Sequence, residues 1–244
     1  MSKKVIAITS LAGSVGKTTI AAHILSPRMP KARFLTADRA NITASHFGID
    51  TEAFSGSEFN KIFSEIMDDT ENDIIIDVGG SKEGVEFISG MHKTRGQSEI
   101  THFIVPTMAE FKDQDGAMKT IELLLNQGVP ASKIKVVFMR FLRDVNEEFD
   151  HVLRGMAHHN IAINLKASVE DTSIFDILSS HGVSMAAILS DKTDYKAKML
   201  TFEKGSAERD RCIDLRIAQG SAPEVNENLE IVFNSLFPSK KSSN

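Results

Sequence analysis

Residues 13–19 read Gly-Ser-Val-Gly-Lys-Thr-Thr, between an apolar run, Val5-Ile6-Ala7-Ile8, and a stretch with helical spacing that begins at Thr18. Strand, glycine-bearing loop and helix start is the order a phosphate-binding loop requires. Such a loop aims backbone N–H groups and the positive end of the helix dipole at one point, where a phosphate can sit. Gly13, Ser14, Val15, Gly16, Lys17, Thr18 and Thr19 are therefore the candidate phosphate cradle. Lys17 is expected to reach the β- and γ-phosphates, and Thr18 to offer its hydroxyl to Mg²⁺. The strict pattern G-x-x-x-x-G-K-[ST] fails at one place, where Leu11 stands for the first glycine.

Two carboxylates fall where such a site needs them. Asp77 ends the run Ile74-Ile75-Ile76 and precedes Val78-Gly79-Gly80. It is either a second metal position, holding the Mg²⁺ shell together with Thr18, or a capping aspartate at a strand-to-loop turn. Asp38 ends another apolar run and is either the group that orients water toward a γ-phosphate or a turn aspartate before Asn41. Lys17 and Asp38 are thus the catalytic candidates. Gly79 and Gly80 would let the backbone approach a terminal phosphate.

The elements that must position these groups recur along the chain. Apolar runs at 5–8, 33–37, 73–78, 101–105 and 134–139 read as strands, with a weaker sixth around 161–164. Residues 116–128, 147–158 and 173–180 have helical spacing. Short apolar strands alternating with helices predict an α/β fold, a mostly parallel, doubly wound sheet covered on both faces. Ligands then bind beyond the carboxyl ends of the strands. The chain of 244 residues reads as one domain over 1–237 with a disordered tail at 238–244. A single cysteine, Cys212, fits a reducing, cytoplasmic setting, and no apolar run is long enough to span a bilayer. The net charge of −5 argues against attraction of the whole protein to nucleic acid.

The stretch Ile8-Thr9-Ser10-Leu11-Ala12-Gly13-Ser14-Val15-Gly16-Lys17-Thr18-Thr19 resembles the deviant Walker A sequence of the ParA/MinD ATPases, usually T-S-G-K-G-G-V-G-K-T-T. Leu35-Thr36-Ala37-Asp38-Arg39-Ala40-Asn41 is similar to that family's I-D-A-D-P-Q-x-N, and residues 72–80 are similar to its Y-D-Y-I-I-I-D-x-P-P. Plasmid-borne relatives of the StbB/TraL type, tied to plasmid stability or conjugation, are the nearest branch. The resemblance implies a P-loop ATPase that binds ATP and Mg²⁺, dimerises with nucleotide, and positions plasmid DNA or a transfer complex through a DNA-bound adaptor protein. Several family residues are replaced. Ala12 stands for the lysine that reaches across a dimer, Thr36 for the first aspartate of the second motif, and Met139-Arg140 for the asparagine that meets adenine. Losing a charge-assisted contact to developing phosphate charge costs transition-state stabilisation. Slow or partner-stimulated hydrolysis is the expectation, with Arg39 or Arg140 as substitutes for the lysine.

Two other readings stand beside this one: a nucleotide-dependent switch or scaffold that hydrolyses nothing, and an ATP-dependent carboxylate-activating synthetase on the same fold. His158-His159 reads as a solvated helix surface rather than a metal pair, because no ligand cluster accompanies it. Lys192, Lys196, Lys198, Lys204, Arg209, Arg211 and Arg216 offer a direct, non-specific DNA surface, but acidic residues interleave with them. Residues 229–237 are expected to form a core-packed last helix rather than a membrane-targeting one.

Overall fold

The computed structural model describes residues 3–38 and 47–238. Their centre is an all-parallel sheet of seven strands: β1 Val5–Ile8, β2 Arg33–Ala37, β3 Thr51–Ala53, β4 Ile74–Val78, β5 His102–Thr107, β6 Ile134–Phe141 and β7 Ser168–Glu170. The spatial order is β3-β2-β4-β1-β5-β6-β7, so the connections that leave the neighbours β1 and β5 run in opposite directions, toward β2 and toward β6. That divergence opens a crevice at the carboxyl ends of β1 and its neighbours.

Helices cover both faces. One face carries α2 Phe59–Asp68, α3 Ser81–Thr94, α4 Phe111–Asn126 and α6 Asp150–His158, whose apolar residues pack with Val5, Ala7, Ile74 and Ile76. The other carries α1, α7 Ile174–His181, α8 Met185–Ser190 and α10 Ala207–Leu236, packed with Ile6, Ile8 and Ile75. Helix α1 is α-helical over Lys17–Thr19 and π-helical over Ile20–Leu25. Two short helices, α5 Val145–Glu148 and α9 Tyr195–Met199, complete the set. Because both faces are covered, strand residues are buried without alternation, and β1 and β4 are buried along their full length. Each fully buried Ile or Phe contributes about 1.5–3 kcal/mol.

Three elements differ from the sequence reading. Residues 161–164 form no strand: Ile161 is buried, but Ile163 is 46% exposed and the segment is irregular. The last strand forms later, at β7, where Val169 enters the core and Ser168 pairs with Phe138. Strand β3 has no apolar run to announce it, since its three residues lie half-exposed on the edge and pair only with β2. The helix expected over 147–158 is divided at Phe149. Asp144 caps α5 by accepting from the backbone N–H groups of Asn146 and Glu147, and the buried Phe149 ring packs against Phe138.

Leu229, Val232 and Leu236 of α10 are buried against the sheet, so residues 229–237 do close the core. No helix among the described residues is long and apolar enough to cross a membrane. Residues 239–244 of the expected tail lie outside the described residues.

Candidate functional site

Strand parity decides which side chains meet. Ile75 faces the α1 side of the sheet and Ile74 and Ile76 face away, so Asp77, two residues after Ile75, returns to the α1 side. On β2, Phe34 faces the same side, which brings Thr36 and then Asp38 there as well. Ile8 and Thr36 both pair with Asp77 in the sheet. The carboxyl ends of three adjacent strands therefore present Asp38, Asp77 and the loop that follows Ile8 to one cleft of about 560 Å³.

Within it, the Thr18 hydroxyl donates to Asp77 Oδ2 at 2.9 Å. Lys17 Nζ turns back to the Ala12 carbonyl at 3.1 Å, across the mouth of the loop. Burial lowers the Lys17 pKa, while Asp77 and Asp38 oppose that shift. Burial pushes Asp77 up to about 6, partly offset by the Thr18 hydrogen bond and the Lys17 charge, and Asp38 adds to the rise. Two carboxylates and a hydroxyl thus converge beside a single buried amine. Such an oxygen-rich set suits a hard divalent cation, which would relieve the cost of keeping Asp77 ionised.

The loop's left-handed residues are Ser14 (φ 56°) and Gly16 (φ 92°). Leu11 needs no such conformation, so the absence of a glycine there imposes no backbone strain. The residue is instead an anchor. Its backbone N–H donates to Thr120 Oγ1 of α4 at 2.9 Å, and its side chain lies against Gly84 of α3. Ala12 packs on Gly116 of α4, where an added Cβ would sit 2.8 Å from the Ala12 Cβ. Gly79 is required for a related reason, because a Cβ there would lie 2.7 Å from Asp38 Oδ2.

All seven residues of the expected cradle, with Asp38 and Asp77, line this one cleft. Arg140 lines it too and pairs with Asp176 of α7 at 2.5 Å, on a bulged, left-handed turn of β6. Arg39 lies outside the described residues. The sequence reading missed Thr120, Gly84 and Gly116, which hold the loop from other elements, and His23, Phe47 and Phe175, which line the cleft. None belongs to a local motif, and only the coincidence of helix faces reveals them.

The remaining candidates stay apart from the cleft. His158 and His159 meet edge-on at 5.0 Å on α6, and no group of three metal-ligating residues occurs among the described residues. Of the cations suggested for DNA, Arg209 is turned onto the Phe202 carbonyl and Arg211 onto His181. Lys192, Lys196, Lys198, Lys204 and Arg216 are exposed.

No family model matches the chain, and no curated protein sequence matches it. Solved structures do. A Cyanothece McdA variant in complex with ATP superposes with TM-score 0.57 at 13% identity, over 92% of this chain and 97% of that one. MinD, a cell division protein of Aquifex aeolicus, gives 0.54 at 16% identity over 89% and 97%. The septum site-determining protein MinD of Pyrococcus horikoshii, in complex with Mg-ADP, gives 0.52 at 14% over 91% and 96%. At these identities the likeness establishes the fold: the chain has the parallel P-loop architecture of McdA and MinD.

Proposed function

We propose that the chain is a ParA/MinD-type nucleotide-binding protein, a single domain over residues 1–237, that takes ATP with Mg²⁺ and hydrolyses it slowly. The carrying observation is the convergence of Lys17, the Thr18–Asp77 pair and Asp38 at the ends of β1, β4 and β2. Residues 13–19 would cradle the phosphates through their backbone N–H groups, with Lys17 swinging from the Ala12 carbonyl to the β/γ-oxygens. Thr18 and Asp77 would hold Mg²⁺, which when bound neutralises charge on the phosphates. Asp38 lies over Gly79, beside both Lys17 and Asp77, and would orient the attacking water. By the sequence resemblance, nucleotide-dependent pairing of two copies and a DNA-bound adaptor or transfer-complex protein would turn this cycle into positioning of plasmid DNA.

A specific observation favours a second reading, the switch that hydrolyses nothing. At the position of the family's trans-acting lysine, Ala12 is seated against Gly116 and offers no charge. Phosphate release decides between the two. The proposed ATPase releases phosphate below the usual enzyme range of about 1–10³ s⁻¹, and Asp38→Ala abolishes the release while ATP still binds. If neither DNA nor any partner elicits phosphate from the parent protein and Asp38→Ala changes nothing, the switch reading stands.

A further inference from the structure

Helix α1 leaves the phosphate loop as an α-helix and then winds as a π-helix over Ile20–Leu25. Six residues of π geometry make about a single turn, and such bulges gather at functional sites. The side chain this segment carries to the cleft wall is His23, which is 1% exposed. Phe47 meets the imidazole edge-on at 4.8 Å, and Phe175 lies tilted against it at 5.6 Å. Met108 and Met139 complete an apolar end of the cleft.

The imidazole is fixed in one protonation state. Burial lowers its pKa to about 4, so it is neutral near neutral pH. Its Nδ1 accepts from the Met185 backbone N–H at 3.4 Å. A neutral imidazole that accepts at Nδ1 carries its proton on Nε2. That N–H has no protein acceptor among the described residues, and the side chain lines the cleft, so the donor is left for what the cleft holds. A donor so placed selects a ligand with an acceptor on a flat, apolar body.

Building on the nucleotide reading above, we propose that His23 Nε2–H reads the base, donating to a ring-nitrogen acceptor of a purine held against Phe47, Phe175 and Met139. Adenine and guanine both present N3 and N7, whereas uracil, whose N3 carries a proton, presents no ring-nitrogen acceptor, so the contact favours purines over uracil and leaves the choice between the two purines to other groups. The base becomes part of what the protein binds, and the triphosphate alone is an incomplete ligand.

The test is calorimetric titration with Mg-ATP, Mg-UTP and Mg-tripolyphosphate, the last carrying the phosphates without a base. Parent protein should bind ATP more tightly than both others. His23→Phe keeps a ring in the wall and removes the donor, so it should weaken ATP by about tenfold and leave tripolyphosphate unchanged. In case the variant folds poorly, 3-deaza-ATP and 7-deaza-ATP probe the parent directly. One of them should lose about tenfold, and that analogue should lose nothing more on His23→Phe. Equal loss of ATP and tripolyphosphate on His23→Phe overturns the proposal, as does undiminished binding of both deaza analogues. A parent that binds tripolyphosphate or UTP as tightly as ATP overturns it alone. A parent that binds neither ATP nor tripolyphosphate overturns the nucleotide reading as well.

Discussion

The buried imidazole makes a quantitative claim about stability that needs no ligand. His23 lies at about 4 in the folded chain, against an ordinary value of 6.5, because burial penalises its charged form. The unfolded chain therefore binds the proton more readily, and folding stability rises with pH wherever the two states differ. The stability is fully present above the unfolded value and is lost as pH falls through the window from 6.5 toward about 4. The complete difference corresponds to about 3 kcal/mol, at about 1.4 kcal/mol per pH unit. Near pH ~5 the unfolded chain holds almost one more proton at this site, a slope of about 1.2 kcal/mol per pH unit. Urea unfolding at a series of pH values between ~7 and ~5 reads this directly, as an acid-side loss of about 2 kcal/mol from His23. His23→Phe should flatten the curve by that amount. His102 is also lowered to about 4, chiefly by burial, but it is present in parent and variant alike and cancels in the comparison. Parallel pH curves for the two proteins would falsify the claim that His23 is buried and neutral, and the donor assigned to Nε2 would go with it.

Three further outcomes follow from the cleft. Lys17→Ala should weaken Mg-ATP binding at least tenfold, about 1.4 kcal/mol, in a titration with folded variant, since Lys17 is the loop's own cation. Asp77→Ala should leave metal-free nucleotide binding near the parent value and abolish the tightening that Mg²⁺ produces; equal gain from Mg²⁺ in both proteins would reduce Asp77 to a turn residue. Gly79→Ala would drive a methyl to within 2.7 Å of Asp38 Oδ2, so the carboxylate must move. Phosphate release should fall at least tenfold with ATP affinity kept within about threefold, and unchanged release would show that Asp38 does not act from where it lies.

What was legible in the sequence follows from which contacts are local. Strands β1, β2, β4, β5 and β6 stood out because sheets covered on both faces demand continuous apolar runs, and 74–76 is three isoleucines in a row. Thr-Glu-Ala of β3 was silent because an edge strand with half-exposed residues has no apolar side to show. Ile161 misled because one buried residue on an irregular segment looks like the start of a run. The cleft divides in the same way. Lys17 and Thr18 were readable from the loop, and Asp77 and Asp38 from their places at strand ends, because each position is set by residues next to it in the chain. His23 was invisible: its role depends on a π-helical turn, on rings at 47 and 175, and on a backbone N–H at 185.

The loop's departures from the strict motif gain a physical account at the same level. A glycine at position 11 would serve a turn that this loop does not make there, since its left-handed residues are Ser14 and Gly16. Leu11 and Ala12 instead tie the loop to α3 and α4, through Gly84, Gly116 and the Thr120 hydroxyl. On the proposed nucleotide reading, a loop anchored by apolar contacts on two helices would keep its backbone geometry for a phosphate while giving up the side chain that would stabilise transferring charge. On that reading nucleotide affinity should survive the replacements at positions 11 and 12 even where they slow turnover.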